Sequence, residues 1–478
     1  MRTKMKDLKQ KIDTEDDEQG EAKLHPFEIS AYFAIWISSV GYSVYKVYSI
    51  GRYFQHNTYT EDFSAGWWWH SKKDTSDYEW NLWKPLLLDV APWWALNLVG
   101  AEFCRWLNLK LLPLWYIFVP SMFLIQVFGA KCFLSLLLQP GIFYLIALKS
   151  PYKTVTWTVG LVILTMLNFY ALQDWFDLPD HLRYLLVLSQ GWIHLRSLSY
   201  CLDVQSGTAK PTSFLHLLAY CFYLPLVLFG PVVLYSDFRP SMDEKFTPWT
   251  RTRFLSLLGG LLRYSFWMLV MDVWLHLIYS NALALQPKVV WKLDSWTLYG
   301  LGYCLGQYFM IKYTVVYGLP GVLARAEGVK APAPPKCIGR IHLYSEMWRT
   351  FDQGLYFFLS RYIYTPVAKE RSSLGLRIFA SFLCFGFVYL WHGKMLYILI
   401  WSALNFLGVI TEVTARKIAS TSSFQAWQNR WLSPRGARRF HALIASPLLY
   451  MSALQVSIEV KSWELRNNKA NKVKNCLE

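Results

Sequence analysis

A single histidine sits in an otherwise apolar stretch, Phe385-Gly386-Phe387-Val388-Tyr389-Leu390-Trp391-His392-Gly393, and an acid lies upstream in Met347-Trp348-Arg349-Thr350-Phe351-Asp352. An ionisable side chain at the centre of a bilayer helix costs roughly 2.5–3.5 kcal/mol, so such groups persist where they do chemistry or line a pathway. A neutral imidazole, with a pKa near ~6.5, is basic enough to take a proton from an attacking amine. For Asp352 the corresponding chemistry is a charge that orients a catalytic group or stabilises a cation formed during transfer. Against these readings stand plainer ones: a satisfied core histidine, and an interfacial acid paired with Arg349 or another nearby base.

Arg263, Asp272, His276 and Lys312 are further ionisable residues in apolar runs. Asp272 and His276 are spaced to share one helix face, as a hydrogen-bonded pair facing the bundle interior or as contacts for a ligand. No two-histidine zinc spacing and no CxxC motif is present, and no metal is expected. Cys337 follows Pro334-Pro335-Lys336 in a polar loop close to His342, apart from Cys104, Cys132, Cys201, Cys221, Cys304 and Cys384, which read as buried hydrophobes in apolar runs. Trp67-Trp68-Trp69, with Trp80 and Trp83, suits an aromatic belt at the membrane interface.

The elements that must position these residues are helices in a membrane. The chain is 54% hydrophobic, 18% aromatic and only 17% charged, below the ~25% charged of an average soluble chain. Apolar runs recur from Ile29 to Val456. Several approach the ~20 residues of a spanning helix, and others are short enough to be re-entrant or packed inside the bundle. The charged N-terminal stretch lacks the apolar core of a signal peptide, so the first apolar run is expected to direct insertion. The net charge of +16 resides in short loops beside apolar runs, which marks cytosolic loops and not a nucleic-acid surface. No internal repeat is visible. The expected division is a polar tail over 1–28, one transmembrane domain over 29–460 and a polar tail over 461–478.

Two basic loops flank the hairpin that carries His392. One holds Arg340, Arg349, Arg361, Lys369, Arg371 and Arg377; the other holds Arg416, Lys417, Arg430, Arg435, Arg438 and Arg439. Both are therefore cytosolic by the positive-inside rule, and the tip at His392 to Lys394 points to the other side. A helix over Ile378 to Trp391 rises about 21 Å, short of a roughly 30 Å hydrocarbon core, which puts His392 within the membrane. Gly354 to Tyr364 is too short to span and suits a re-entrant or interfacial helix bringing in Asp352. The two groups would meet in a cavity open to both faces. Such a cavity fits a reaction with substrates from opposite compartments, and equally a proton path.

Lys72-Lys73-Asp74-Thr75-Ser76-Asp77-Tyr78-Glu79-Trp80, Tyr220 to Pro231, Pro335-Lys336-Cys337-Ile338-Gly339-Arg340-Ile341-His342, Trp348-Arg349-Thr350-Phe351-Asp352-Gln353-Gly354-Leu355, Trp391-His392-Gly393 and Ala403-Leu404-Asn405-Phe406-Leu407-Gly408 occur in this order. With these runs the chain resembles the membrane-bound O-acyltransferase family, and within it the Hedgehog acyltransferase branch, from Ile29 to Met451. The family continues with further apolar segments where this chain ends in the polar run Lys461 to Glu478.

The resemblance implies an all-α polytopic membrane protein, a helical bundle with short and re-entrant helices around a through-membrane cavity. It implies transfer of palmitate from palmitoyl-CoA to the N-terminal cysteine amine of a secreted ligand of Hedgehog or EGF type, in the endoplasmic reticulum or Golgi membrane. His392 would be the base and Asp352 its helper. Trp348 and Asn405, in the matching runs, join Asp272 and His276 as candidate substrate contacts. The matching cysteine in that branch binds haem through its sulfur, which extends to Cys337 in a structural or regulatory role, a thiolate being a known axial ligand. The rival readings are O-acylation of a serine or lipid hydroxyl, a non-catalytic ligand-binding relative, and a transporter with His392 and Asp352 as a proton relay.

Overall fold

The apolar runs fold as helices of very different burial. The structure, a computed structural model, describes residues 23–57, 62–68, 71–169, 175–340, 343–369 and 372–448. Trp69, His342, Arg371 and the tail 461–478 lie outside the described residues. In chain order the main helices are α1 (Pro26–Asn57), α2 (Tyr78–Leu107), α3 (Leu112–Phe128), α4 (Ala130–Lys149), α5 (Lys153–Leu167), α6 (Asp180–Gln205), α7 (Phe214–Cys221), α8 (Arg251–Leu277), α9 (Ser295–Ala326), α10 (Tyr344–Phe351), α11 (Gln353–Leu359), α12 (Leu374–His392), α13 (Leu396–Ala419) and α14 (Ser422–Trp431). A short antiparallel ribbon, β1 (Phe63–Ala65) and β2 (Lys72–Asp74), joins α1 to α2. Among the described residues five helices are long and apolar enough to cross a membrane: Leu109–Phe128, α4, α8, α12 and α13. The chain is thus an all-α polytopic membrane protein.

Local chemistry sets the ends of the helices near the site. The Asp77 carboxylate accepts the Trp80 N–H at 2.6 Å and starts α2; Ser373 caps α12. Such caps satisfy N–H groups that a helix start leaves without partners. At the other end of α12, Gly393 adopts φ +107°, a conformation that costs other residues a Cβ clash, so the chain turns directly after His392. α1 runs to Asn57 and α2 starts at Tyr78, so the ribbon lies in the connection between them.

α6 is the pillar of the bundle. Residues 189–203 are all buried, and the helix serves a different neighbour on each side. Gly191 lets the Trp391 ring of α12 approach, 3.0 Å from where a Cβ would stand. His194 shares a 3.0 Å hydrogen bond with Gln139 of α4. Arg196 donates to the carbonyls of Cys221, at 2.9 Å, and Leu226. The first ends α7 and the second lies in the buried stretch that follows, 222–234, which is irregular except for the turn Leu224–Val227. Irregular backbone at membrane depth is tolerated only when protein partners replace water. Here Tyr220 donates to Val233 O at 2.6 Å, and the Ser199 hydroxyl accepts the Tyr235 N–H at 2.9 Å.

The stretch 222–234 is in turn the surface on which α11 rests. A Cβ on Gly354 would lie 2.4 Å from Val232 O and 2.6 Å from Val232 N, both backbone atoms. Gly354→Ala is therefore expected to push α11 and Asp352 outward, costing about 1–3 kcal/mol of stability by overpacking, read as a lower unfolding midpoint. A second prediction concerns Asp74, on the ribbon outside the spanning helices. Its carboxylate accepts the Ser76 N–H (3.0 Å), the Ser76 hydroxyl (2.5 Å) and the Ala282 N–H (3.0 Å), and burial pushes its pKa up to about 6. Because the folded value lies above the unfolded one, stability is complete below pH 4 and declines as pH rises through about 6. Asp74→Asn should flatten that part of the stability-against-pH curve, measured by thermal unfolding in detergent.

Candidate active site

His392 is the last residue of α12, and the chain returns at once into α13. Its side chain is accessible, and its ring meets Trp401 of α13 edge-on, with centroids 5.5 Å apart. Among the described residues neither ring nitrogen has a hydrogen-bond partner, so both remain available to a reacting group. The hairpin tip is held from outside the ring: Asn168, beyond the end of α5, donates to Leu390 O at 3.0 Å, and Lys394 lies 5.0 Å over the Phe169 ring. Position is thus fixed without using up the imidazole.

The structure brings two of the candidate substrate contacts to this histidine. The Trp348 indole N–H donates to Asn405 Oδ1 at 3.1 Å, and Asn405 Nδ2 donates to Trp401 O at 2.8 Å. The Trp348 ring packs on Trp401 (5.7 Å) and Phe385 (5.1 Å). Asn405 is fully buried with both ends of its amide engaged, so it acts as the pin that sets Trp348 and Trp401, and through Trp401 the imidazole.

Asp352 stands between α10 and α11 and caps the latter, accepting the Leu355 N–H at 2.9 Å. Its other oxygen accepts the Tyr317 hydroxyl at 3.0 Å. Arg349 is not its partner, contrary to the interfacial-pair reading. Among the described residues no hydrogen bond or ion pair joins Asp352 to His392. The link is a wall of rings: Tyr317 meets Trp192 at 6.4 Å, and Trp192 meets Trp391 at 5.8 Å, next to the histidine.

A second carboxylate, missed by the sequence reading, is Glu79, in the first turn of α2. It accepts the Tyr184 hydroxyl at 3.0 Å and Lys312 Nζ at 2.9 Å, and Lys312 also bonds Asp77 at 2.9 Å. Lys312 is only 4% exposed and is ringed by Trp83, Tyr308, Phe309 and Tyr313 at 5.6–6.0 Å. The signal was present: a lysine inside the apolar run 296–323 needs an anion, and Asp77 and Glu79 open the neighbouring helix.

Asp272 and His276 lie elsewhere. Asp272 binds Lys73 (2.6 Å), Lys84 (2.7 Å) and the Trp67 indole (2.6 Å). His276 Nδ1 faces its own helix at Asp272 O (2.6 Å), and Nε2 accepts the Trp67 N–H (3.2 Å). Both fasten the ribbon region onto α8, and nothing of the His276 ring is left for a ligand. The aromatic belt is corrected in part: Trp67 is 56% exposed, whereas Trp80 and Trp83 are 1% and 3% exposed core residues, with Trp83 turned towards Lys312 and Phe229.

Cys337 is exposed, while Cys104, Cys132, Cys201, Cys221 and Cys304 are buried and Cys384 is half-buried. Among the described residues no group of three His, Cys, Asp or Glu side chains could hold a metal ion. A cavity of about 530 Å³ opens beside the Asp352 end of the site, between Val232, Leu234, Arg325, Lys330, Gln353 and Phe357. Its lining carries two cations, Arg325 and Lys330, and one acid, Asp237, and its Gln353 adjoins Asp352.

Comparison with known proteins gives this geometry a context. The family model described as "membrane-bound O-acyltransferase family" matches residues 106–455. The chain is 31% identical over 437 residues to the protein-cysteine N-palmitoyltransferase Rasp of Drosophila melanogaster, covering 89% of this chain and 86% of that one. It is 29% identical over 391 residues to the mouse protein-cysteine N-palmitoyltransferase HHAT, covering 78% of each, and 26% identical over 400 residues to the mouse HHAT-like protein, covering 80% and 77%. The matched region contains the hairpin with His392, the pin at Asn405 and the capped turn at Asp352, and this chain belongs to the membrane-bound O-acyltransferase family of acyltransferases.

Proposed function

We propose that the chain is a protein-cysteine N-palmitoyltransferase that moves palmitate from palmitoyl-CoA to the N-terminal amine of a secreted Hedgehog-type ligand. The observation that carries this reading is His392: an intramembrane imidazole held by ring contacts alone, with both nitrogens free, in a chain that shares 31% and 29% identity with two enzymes of that name. EGF-type ligands fall in the same class of acceptor.

The chemistry asks little of the protein. An exposed α-amine has a pKa of about 7.7–8.0, so a substantial fraction is already neutral. Its nitrogen adds to the thioester carbonyl, His392 accepts the proton released from nitrogen, and collapse of the tetrahedral adduct expels the CoA thiolate, which takes a proton in turn. Asp352, at the far end of the ring wall, favours the ammonium that forms as the nitrogen adds. Trp348 and Trp401, fixed by Asn405, exclude water and orient the imidazole, which is the positioning share of catalysis.

The donor's phosphates fit the 530 Å³ cavity, whose Arg325 and Lys330 supply positive charge next to Gln353. With the basic loops cytosolic, the donor enters from the cytosol and the ligand from the lumen of the endoplasmic reticulum or Golgi. Residues 29–460 form the transmembrane domain on this reading. Haem at Cys337 rests on the resemblance together with the exposure of that thiol, which leaves its sulfur accessible as an axial ligand; acyl transfer does not require it.

The deciding assay is transfer of labelled palmitoyl-CoA to a synthetic Hedgehog N-terminal peptide by the purified chain. Hydroxylamine-resistant product is expected, abolished by His392→Ala and by N-acetylation of the peptide. A hydroxylamine-sensitive product would instead mean ester or thioester formation, and no product from folded protein would favour a non-catalytic binding role. Asn405→Ala should lower kcat by ~10-fold or more while palmitoyl-CoA KM changes little, since it acts on imidazole placement. Lys330→Glu should do the reverse, raising that KM several-fold with kcat nearly kept.

A further inference from the structure

Asp352 stands at a break in the backbone, and part of what holds it comes from another helix. On α9, Phe309, Tyr313 and Tyr317 follow at four-residue intervals and so share one face. Their rings form a ladder, with centroids 4.7 Å apart between the first two and 5.4 Å between the last two. Phe351, the last residue of α10, lies against the first two rungs, stacked on Phe309 at 5.4 Å and tilted against Tyr313 at 5.9 Å. The third rung then meets the next residue in the chain: the Tyr317 hydroxyl donates to Asp352 Oδ2 at 3.0 Å. Tyr317 is a core residue, and its ring also meets Trp192, which leads through Trp391 to His392.

A carboxylate drawn out of water favours its neutral form unless donors to its charged form replace that water. Asp352 is half-buried; Oδ1 accepts the Leu355 N–H at 2.9 Å, and Oδ2 accepts the Tyr317 hydroxyl. The first donor is backbone and belongs to the cap of α11. Tyr317 supplies the only side chain that donates to Asp352 among the described residues. The titratable groups on the elements around it are Glu346 and Arg349 of α10, Tyr356 of α11, His392 beyond the ring wall, and Arg325, Lys330 and Asp237 around the adjoining cavity. None of them forms a hydrogen bond or ion pair with Asp352 among the described residues. The stretch 222–234 beneath it contributes Tyr223, whose hydroxyl is given to Glu327, and Lys312 of α9 is taken by Asp77 and Glu79. With no cation paired to Asp352, the Tyr317 hydroxyl carries the side-chain share of the compensation.

We propose that Tyr317 is a positioning residue for the acyl transfer, holding Asp352 ionised and in place at the end of the ring wall. The inference rests on the reading of Asp352 as the group that favours the forming ammonium. A protonated Asp352 has no charge to offer, so the hydroxyl sets the lower end of the pH range in which the site works.

Tyr317→Phe keeps the ring in the ladder and removes only the hydroxyl. In full-length chains in lipid nanodiscs, transfer of labelled palmitate to the N-terminal peptide is followed against pH. Loss of one hydrogen bond to a carboxylate should move the acid limb of kcat up by about one pH unit, so that turnover falls up to about tenfold on the limb and less above it, with palmitoyl-CoA KM changed little. The same substitution made with Asp352→Asn already present should leave the limb where Asp352→Asn alone puts it. Infrared titration reads the same group without turnover: the carbonyl band of protonated Asp352, identified by its absence from Asp352→Asn, should appear at higher pH in Tyr317→Phe than in wild type. An unmoved band would overturn the proposal, as would turnover lost equally at every pH or a limb shift that persists in the Asp352→Asn background. Were wild type to lack transfer while the band still shifted, the palmitoyltransferase reading would fail and the hold of Tyr317 on Asp352 would stand. Were Asp352→Asn to transfer as well as wild type does, Asp352 would have no part in the reaction and the positioning role would fall with it.

Discussion

The structure depends on one constraint: inside a bilayer, every backbone and ionisable group must find its partner within the protein. The active site of this fold needs irregular backbone at membrane depth, since Asp352 sits at a break between two helices and α11 rests on the non-helical stretch 222–234. α6 makes that affordable. Its Arg196, Ser199 and Asp203 reach out to the carbonyls and N–H groups of the stretch from 221 to 236, and Asp203 and Ser199 also hold Arg361 (3.0 Å) and Tyr362 (2.9 Å) in the π-helical turn that follows α11. One helix, buried on all sides, thus supports both the floor beneath Asp352 and the segment after it.

The same constraint explains why rings and not hydrogen bonds hold the histidine. A hydrogen bond to His392 would fix it but would also occupy a nitrogen the reaction needs. Edge-on contact with Trp401 fixes the plane of the imidazole through shape and quadrupole, and the polar bonds that secure Trp401 and Trp348 are made one step back, at Asn405. The cost of a buried amide is met because both its oxygen and its nitrogen are satisfied. Gly393 then lets the chain reverse without placing a Cβ in the turn.

Much of this was legible in the chain. The apolar His392 helix, the hairpin that contains it and the short helix after Asp352 all follow from hydropathy and length. Burial was less legible. The α6 and α9 runs look in sequence like the lipid-facing ones, and only their polar residues, Arg196, Asp203 and Lys312, hint that protein surrounds them. Pairing was least legible. The spacing of Asp272 and His276 suggested a mutual side-chain bond, whereas the imidazole bonds the backbone carbonyl and the carboxylate collects Lys73 from the ribbon and Lys84 from α2. Periodicity reports which residues share a helix face; which distant loop crosses that face depends on tertiary packing.

Ionisable groups that are spoken for can be separated from those that are not, and the division carries functional information. Glu327 gathers the hydroxyls of Tyr116 (2.5 Å) and Tyr223 (3.0 Å) and the amide of Asn97 (3.2 Å), and its backbone carbonyl takes Arg105. Glu412 takes Arg416 and Ser345. These groups are bound on several sides at once, so they fasten helices together and have no capacity left for a ligand. His392 has its nitrogens free in a site walled by aromatic rings, and an unpaired polar atom there is costly unless a substrate supplies the missing partner. The free nitrogens are thus the reason to assign chemistry to this residue over the fully bonded His276, although both are histidines near the end of a membrane-spanning helix.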